Sequence, residues 1–435
     1  MFRKLIPLLA APVWLGAQQP VTDTTFHPIS MTEAVRLAKE NNVSNITAAN
    51  TVRSANNSVR SARAAMYPTL TASAGQSKSA GQRVGPGNQL IDFVPAWSYN
   101  TGLSSGVTLF DAGKMFTDVK AARANVTATE ATEINTEYGV SLQVKQAYNS
   151  ILAAKESEAA ARAQLEAAQL QLETSIAKVK AGAANVSDSL RSVVQVGNAQ
   201  LLLLTAQNSF RTNSAALTRL AGTPYFVTAD LADTVEHPVA PLDSASIMQL
   251  ALQGPTIRQY EAQANAASAT TRSAKAAYLP TIRATFSYSG SGTAASYGLN
   301  NNPFPYTRGV SINAQYPLFD RFARENTIAA AQISFQNAEA QLKDARLAAQ
   351  QNIVTYFATL RNAEETMRVQ QINVQASQED LRVQQQRYNL GASTLLDVLN
   401  SQTTLVQARQ ALIQARLNYR NARAQIEAAI GRDLP

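Results

Sequence analysis

Cysteine is absent from this 435-residue chain, histidine occurs twice, and aromatic (7%) and charged (16%) residues are both sparse. Without cysteine there is no disulfide, no thiolate metal site, no thiol nucleophile and no lipid-modified N-terminal cysteine. His27 and His237 each precede a proline, Pro28 and Pro238, and read as loop residues rather than metal or catalytic ligands. The chain carries no Gly-rich phosphate loop, no nucleophile elbow and no acid pair spaced for acid-base chemistry. No catalytic residue, metal site or cofactor is expected, which argues against an enzyme. Large side chains are too few to fill a thick core, so long elements should pack thinly through small residues. No apolar run approaches the roughly 20 residues of a spanning helix.

What is present begins with a leader-like N-terminus. Arg3 and Lys4 precede a short apolar run that closes on Leu15-Gly16-Ala17, which predicts a signal peptide over residues 1–17 and a mature start at Gln18. Its removal lowers the formal charge from +8 to +6. The remaining basic residues are scattered among Glu and Gln, without a dense block or interleaved stacking aromatics, so they read as a solvated face and nucleic acid is not an expected partner.

The chain then says nearly everything twice. RSARAAMYPTLTA (60–72) aligns without gaps on RSAKAAYLPTIRA (272–284), LFDAGK (109–114) on LFDRFA (318–323), Gly182 and Asp188 on Gly391 and Asp397, and Gly222 on Gly431. The offset is 212 in the first block and 209 in the others, so the difference falls in the segments between the first two blocks. This gives a first repeat over 18–222, a linker over 223–243 marked by Pro224, Pro238 and Pro241, and a second repeat over 244–435.

Inside each repeat the hydrophobic period changes from helix to strand and back. Residues 31–65 are Ala-rich and helix-compatible up to Pro68. Strands follow at 69–77 and 99–110, with Leu70, Ala72, Ala74, Leu103, Val107 and Leu109 opposing Thr69, Thr71, Ser73, Asn100, Ser104 and Thr108. The second repeat does the same at 281–290 and 308–319, where Ile282, Ala284, Phe286, Tyr288, Val310, Ile312, Ala314, Tyr316 and Leu318 oppose Arg283, Thr285, Ser287, Ser289, Ser311, Asn313 and Gln315. Loops over 79–98 and 292–307 hold Phe93, Trp97, Tyr297, Phe304 and Tyr306, the aromatic flanks a membrane barrel requires. An ordinary half-buried hairpin is the competing reading. Proline-free helices over 112–180 and 321–389 come next, each roughly 100 Å long. Left-handed caps at Gly182 and Gly391 end them, and helices over 187–221 and 395–430 run back. Helices of that length cannot hide an apolar stripe alone and must lie against others.

This arrangement resembles the TolC-type outer-membrane efflux proteins, through the doubled helix, hairpin, helix order, the YPTL and YLPTI strand openings, the LFDAGK and LFDRFA junctions, and RYNLGASTLLDVLNSQ (387–402). The resemblance covers nearly the whole mature chain. It implies a mainly α fold with a membrane β-barrel part: long antiparallel helical hairpins forming an α-barrel tunnel, plus four strands per protomer contributing to a trimeric twelve-stranded barrel. It implies a homotrimer in outer-membrane lipid, working with a periplasmic adaptor and an inner-membrane transporter as the duct of a tripartite efflux or type I secretion system. The alternative is an exported structural coiled-coil protein without channel activity.

The same resemblance assigns residues. The adaptor would meet the turns Ala181, Gly182, Ala183 and Leu390, Gly391, Ala392. Asp397 matches the first of two acids at the closed periplasmic entrance and Asn400 stands at the second, so one acidic ring is expected in place of two. Asp188 and Tyr388 would help to hold the entrance shut, and Ser393 stands where an Arg is expected, removing one closing link. Two readings of Asp397 remain open: a capping box with Thr394, matched by a similar start at Asn185-Val186-Ser187-Asp188, or a tunnel-facing stripe through Asn400, Thr404, Gln407 and Ala411.

Overall fold

A computed structural model describes residues 25–230, 244–294 and 305–434. The expected signal peptide, His237, Tyr297 and Phe304 lie outside the described residues, as does the side chain of Phe93. The order begins with β1 (His27–Ile29), α1 (Met31–Asn41) and α2 (Val43–Ala64). One helix was expected over 31–65. Instead Asn42 takes an extended conformation, with ψ 131°, and uses its side chain twice: Nδ2 donates to Leu220 O at 3.0 Å and Oδ1 accepts from Ser44 N at 2.9 Å. Local hydrogen bonding of this kind offers the backbone an alternative to the helix ladder. The second repeat breaks in the same region, into α5 (Ser244–Ala251) and α6 (Pro255–Lys275), the latter opening on a proline whose fixed φ suits a first helical position.

The long elements follow the repeat to the residue. α3 (Lys114–Lys180) and α7 (Ala323–Asn389) each hold 67 residues, and α4 (Val186–Ala221) and α8 (Leu395–Ile430) each hold 36. Every boundary of α7 and α8 is that of α3 and α4 shifted by 209. The caps explain why. Gly182 and Gly391 sit at φ 71° and 74°, and in each turn two amides return to the last helical turn: Ala183 to Lys178 O and Gly182 to Val179 O, then Ala392 to Arg387 O and Gly391 to Tyr388 O. Carbonyls orphaned by the helix end are satisfied, and left-handed geometry costs glycine nothing.

β2 (Thr69–Val84), β3 (Leu90–Phe110), β5 (Thr281–Ala294) and β6 (Tyr306–Gln315) form one antiparallel sheet in the order β2-β3-β5-β6. The first hairpin is longer than its sequence suggested. Most of the expected loop over 79–98 is strand, closed by a short turn in which Gly85 N donates to Gln89 O at 2.8 Å. Conversely β6 stops at Gln315, so Tyr316 and Leu318 fall beyond it, just before and after Pro317, which has no amide to donate.

The two faces of this sheet differ in chemistry. Val107, Ala284 and Ile312 lie in one row, Leu70, Ser105, Phe286 and Val310 in the next, and Ala72, Leu103, Tyr288 and Arg308 in a third. Val310 and Ile312 leave 75% and 67% of their surface exposed. Tyr288 stacks on Tyr306 with ring centroids 5.0 Å apart. Thr69, Thr71, Ser104, Thr285, Ser287, Ser311 and Asn313 occupy the other face, where Thr285 Oγ1 and Ser311 Oγ lie 3.0 Å apart. A bulge at Leu109 corrects one expected position: Phe110 pairs with Ile282 and takes the place on the apolar row expected for Leu109.

A second, two-stranded sheet pairs β1 with β4 (Val227–Ala229) in parallel. His27 is thus a strand residue and not a loop residue, and part of the expected linker is a buried strand. Val227 and Ala229 join Ala34, Val144, Tyr148, Ile151 and Leu217 in the main hydrophobic cluster, and Tyr148 Oη donates to Ile29 O at 3.0 Å.

The described residues divide into two compact units that cut across the repeats: one takes those up to Ile46, within Glu137–Ser244 and from Ile353 on, the other those within Thr47–Thr136 and Ala245–Asn352. The first holds this cluster and the four hairpin arms. Within it Lys145 meets Glu427 and Asp433, each at 2.6 Å. Burial works against the charged amine, but the two carboxylates outweigh it and hold Lys145 above the ordinary lysine range. The second holds the four-stranded sheet, with Asn135 Nδ2 donating to Gln259 Oε1 at 2.7 Å and Arg346 meeting Glu261 at 2.7 Å.

The glycine caps are separable by experiment. A Cβ at Gly391 meets nothing within 4 Å, so Gly391→Ala should lose only the left-handed penalty of about 1 to 2 kcal/mol. A Cβ at Gly222, φ 66°, would lie 2.8 Å from Asn41 Cβ and 3.0 Å from its carbonyl oxygen, so Gly222→Ala adds overpacking and should cost roughly 2 to 5 kcal/mol. Thermal unfolding in detergent followed by circular dichroism should rank them in that order, and equal losses would contradict it.

Candidate functional site at the hairpin turns

The two turns that end α3 and α7 gather most of the residues singled out by sequence. Ala181, Gly182, Ala183, Leu390, Gly391 and Ala392 are all exposed, Leu390 with 83% of its surface. Small residues at five of the six positions leave the turn backbones open to whatever approaches them.

Asp397 opens α8 in a reciprocal cap. Its Oδ2 accepts from Thr394 N at 2.9 Å, while Thr394 Oγ1 accepts from Asp397 N at 3.3 Å. The Thr394 and Ser393 hydroxyls also donate to Oδ2, at 2.7 and 3.0 Å. These donors, the Thr394 hydroxyl first, hold the carboxyl below the ordinary aspartate range, and it is ionised at neutral pH. The local-cap reading is therefore realised. It does not compete with the stripe: Asp397, Asn400, Thr404 and Gln407 are exposed on one side of α8 and Ala411 is half-buried, while Leu395, Val398 and Leu405 are buried on the other. One carboxylate can cap a helix through one oxygen and still present its charge to water.

Asp188 departs from its repeat partner. The N-cap of α4 is Asn185, whose Oδ1 accepts from Ser187 N at 3.2 Å, and no reciprocal box forms. Asp188 instead lies 3.8 Å from Arg191 and close enough to Tyr388 to act on its ionisation. Burial first, and then the Asp188 charge, push the Tyr388 phenol above its ordinary range. Asp188 and Tyr388 thus lie near one another at the turns. Ser393 is not part of that pair; it donates to Gln384 Oε1 at 3.1 Å and to Asp397.

Three contacts escaped the sequence reading. Lys178 Nζ lies 3.7 Å from the centroid of the Tyr388 ring, a direct cation–π contact, and 3.4 Å from the Tyr388 carbonyl oxygen. Ser175 Oγ and Ser192 Oγ lie 3.0 Å apart between α3 and α4, both buried. Ser401 Oγ, at the repeat position of Ser192, donates to Asp380 Oδ2 at 2.5 Å between α8 and α7. The recurrence of serine at 192 and 401, and of a basic residue at 178 and 387, was the available signal. Among the described residues no group of His, Cys, Asp and Glu is arranged to hold a metal ion, and no helix is long and apolar enough to cross a membrane.

With this geometry in hand, comparison with known proteins is specific. A family model described as outer membrane efflux protein matches residues 34–223 and 247–432. Outer membrane protein TolC of Salmonella enteritidis is 29% identical over 168 residues, 37% of this chain and only 34% of that protein's length. Protein CyaE of Bordetella pertussis is 26% identical over 385 residues, 85% of this chain and 77% of the relative. The open-state crystal structure of the Neisseria gonorrhoeae MtrE outer membrane channel superimposes with a TM-score of 0.71 at 23% identity, covering 92% of this chain and 89% of that one, which shows the same fold.

The cap has a pH signature. Because the folded carboxyl is lowered, its stabilising effect is present above the ordinary aspartate value and disappears as pH falls through the lower folded value. Thermal unfolding of the wild type against Asp397→Asn should differ at pH 7 and converge as the pH drops below about 4. Thr394→Ala should cost about 1 kcal/mol at neutral pH. A gap between wild type and Asp397→Asn that persists unchanged at low pH would exclude the cap.

Proposed function

The chain belongs to the outer membrane efflux protein family, and we propose that it is the outer-membrane duct of a tripartite efflux or type I secretion system, passing small molecules or polypeptides from periplasm to exterior. The observation that carries this reading is the four-stranded sheet with one apolar, exposed face and one face of Ser, Thr, Asn and Gly. Lipid on the first face and water on the second is the environment such a sheet fits. Four strands cannot close a barrel, and single-chain barrels start at eight, so copies must combine. Three copies give twelve strands. An exported coiled-coil protein would need neither the two-faced sheet nor the repeat kept to the residue.

The helical hairpins would then form a tunnel, with the Asp397 side chains of three copies forming one acidic ring on the exposed stripe of α8. Asn400, one turn on, adds a polar but neutral ring. A ring of fixed negative charge in a narrow water-filled passage favours cations over anions. The Asp188, Tyr388 and Lys178 cluster ties the α3 turn to the α7 turn within one protomer and supports a closed state, while Ser393, bonded only locally, adds no link between hairpins. The exposed turns at 181–183 and 390–392 are the surfaces offered to a periplasmic adaptor, with an inner-membrane transporter supplying the energy.

Both parts of the proposal can be measured. Val310→Arg or Ile312→Arg should impair assembly into heat-modifiable outer-membrane trimers by about 2 to 4 kcal/mol at the bilayer midplane, and Asn313→Arg should be tolerated; equal tolerance on both faces would end the barrel reading. In planar-bilayer recordings Asp397→Asn should reduce cation preference and block by multivalent cations, whereas Thr394→Ala should weaken the cap and leave selectivity alone. If Asp397→Asn conducts with the selectivity of the wild type, Asp397 is a cap and nothing more.

A further inference from the structure

Chain connections give the four-stranded sheet a helix end and a far end. α2 leads to Thr69, Phe110 leads to α3, α6 leads to Thr281 and Gln315 leads to α7, while β2 joins β3 and β5 joins β6 at the other end. On the apolar face the rows through Ile282, Ala284 and Phe286 carry no charge. The next row, through Tyr288, closes on Arg308 in β6, and three rows further Lys78 in β2 stands opposite Trp97. Between the Ile282 and Trp97 rows this face carries no other charged residue, and Asp92 lies beyond the register shift at Ser79 and Gly81.

Both cations are exposed and both stand beside aromatic rings. Lys78 Nζ lies 5.7 Å from the centroid of the Trp97 ring, and Arg308 shares its row with Tyr288, which stacks on Tyr306. Neither forms an ion pair among the described residues. The helix end is different. Arg324 lies 5.4 and 5.9 Å from the Tyr278 and Tyr316 rings, but Asp320 holds it at 3.0 Å. Arg321 and Glu325 flank that pair, so bases and acids balance at this junction. The far end alone is left positive.

Charge on a lipid-facing wall is tolerated only as it nears the headgroups, and tyrosine and tryptophan favour the same level. Arg308 stands about 20 Å along the strands from the Ile282 row, at the edge of the uncharged rows. No helix among the described residues can cross a membrane, so the helices lie in water on one side and the far end meets the opposite leaflet. With the helices in the periplasm, that leaflet is the outer one.

We propose that Arg308 and Lys78 bind the phosphate groups of phosphorylated lipids in the outer leaflet, with the Tyr288 and Tyr306 stack packed against the same lipid. The inference rests on the barrel reading above and gives its outer rim a ligand. A guanidinium offers phosphate two parallel donors and an ammonium adds a point charge, so the two residue types suit the same anion. An aromatic ring under each head holds it near the surface while its stem lies on apolar neighbours. A neutral headgroup would leave both charges without a partner.

Trimers purified in a neutral detergent can be given bisphosphorylated lipid A, or the same lipid stripped of phosphate, and the bound lipid counted by native mass spectrometry. The wild type should retain the phosphorylated form, and millimolar inorganic phosphate should not displace it. Arg308→Gln combined with Lys78→Gln should weaken retention about tenfold, as expected for the loss of charge-assisted hydrogen bonds. Arg308→Lys should lose less, and Arg283→Gln, on the polar face, should bind as the wild type does. Intact trimers of the double variant that retain the lipid unchanged, or equal retention of the phosphate-free lipid, would overturn this site and leave the barrel standing. A wild-type protein that forms no trimer in lipid or detergent would overturn the barrel reading and the site together.

Discussion

Backbone amides and carbonyls on the outer flanks of β2 and β6 face no further strand of the described chain, and hydrocarbon offers them no water. The side chains make the problem sharper, because the apolar row through Ile312, Ala284 and Val107 suits lipid while the Ser and Thr row behind it suits water. A sheet with these faces and open edges is unfinished. Adding copies until the edges pair solves both needs, and it places the polar rows around an interior. The rest of the architecture follows from having to bring several copies into register.

Registration is where the internal duplication matters. Two repeats whose long and returning helices have the same lengths and the same glycine caps supply two quasi-equivalent building blocks per chain. Polar and charged pairs between α3 and α8, such as Asn149 with Asn421 and Glu156 with Arg420, fix the relative height of these helices more tightly than Ala-rich surfaces could.

Duplication also allowed the copies to diverge where the chemistry differs. Asp188 and Asp397 occupy one repeat position, yet Asp397 caps α8 and keeps its charge beside an exposed stripe, while Asp188 leaves capping to Asn185 and acts on half-buried Tyr388. The difference lies three residues upstream. Thr394 offers a hydroxyl that reaches the amide of residue 397, whereas Asn185 reaches only to Ser187, which frees the Asp188 carboxylate for another partner.

The sequence by itself determined the order of elements, because periodicity, proline and glycine act over short distances. Gly182 and Gly391 ended the long helices where read, and the alternation from Leu70 and from Ile282 set the two faces of the sheet. Only tertiary structure decided what depends on partners distant in the chain. Asn42 breaks the first helix as its amide reaches Leu220, and Val227–Ala229 is strand and not linker since Ile29 and its neighbours wait beside it. A bulge moves Phe110 into the row meant for Leu109, and the first hairpin extends through its loop once two strands pair. Lys178 finds the Tyr388 ring across 210 positions of sequence, a contact that no local pattern encodes, because cation–π energy depends on where two helices end in space and not on which residues flank either one.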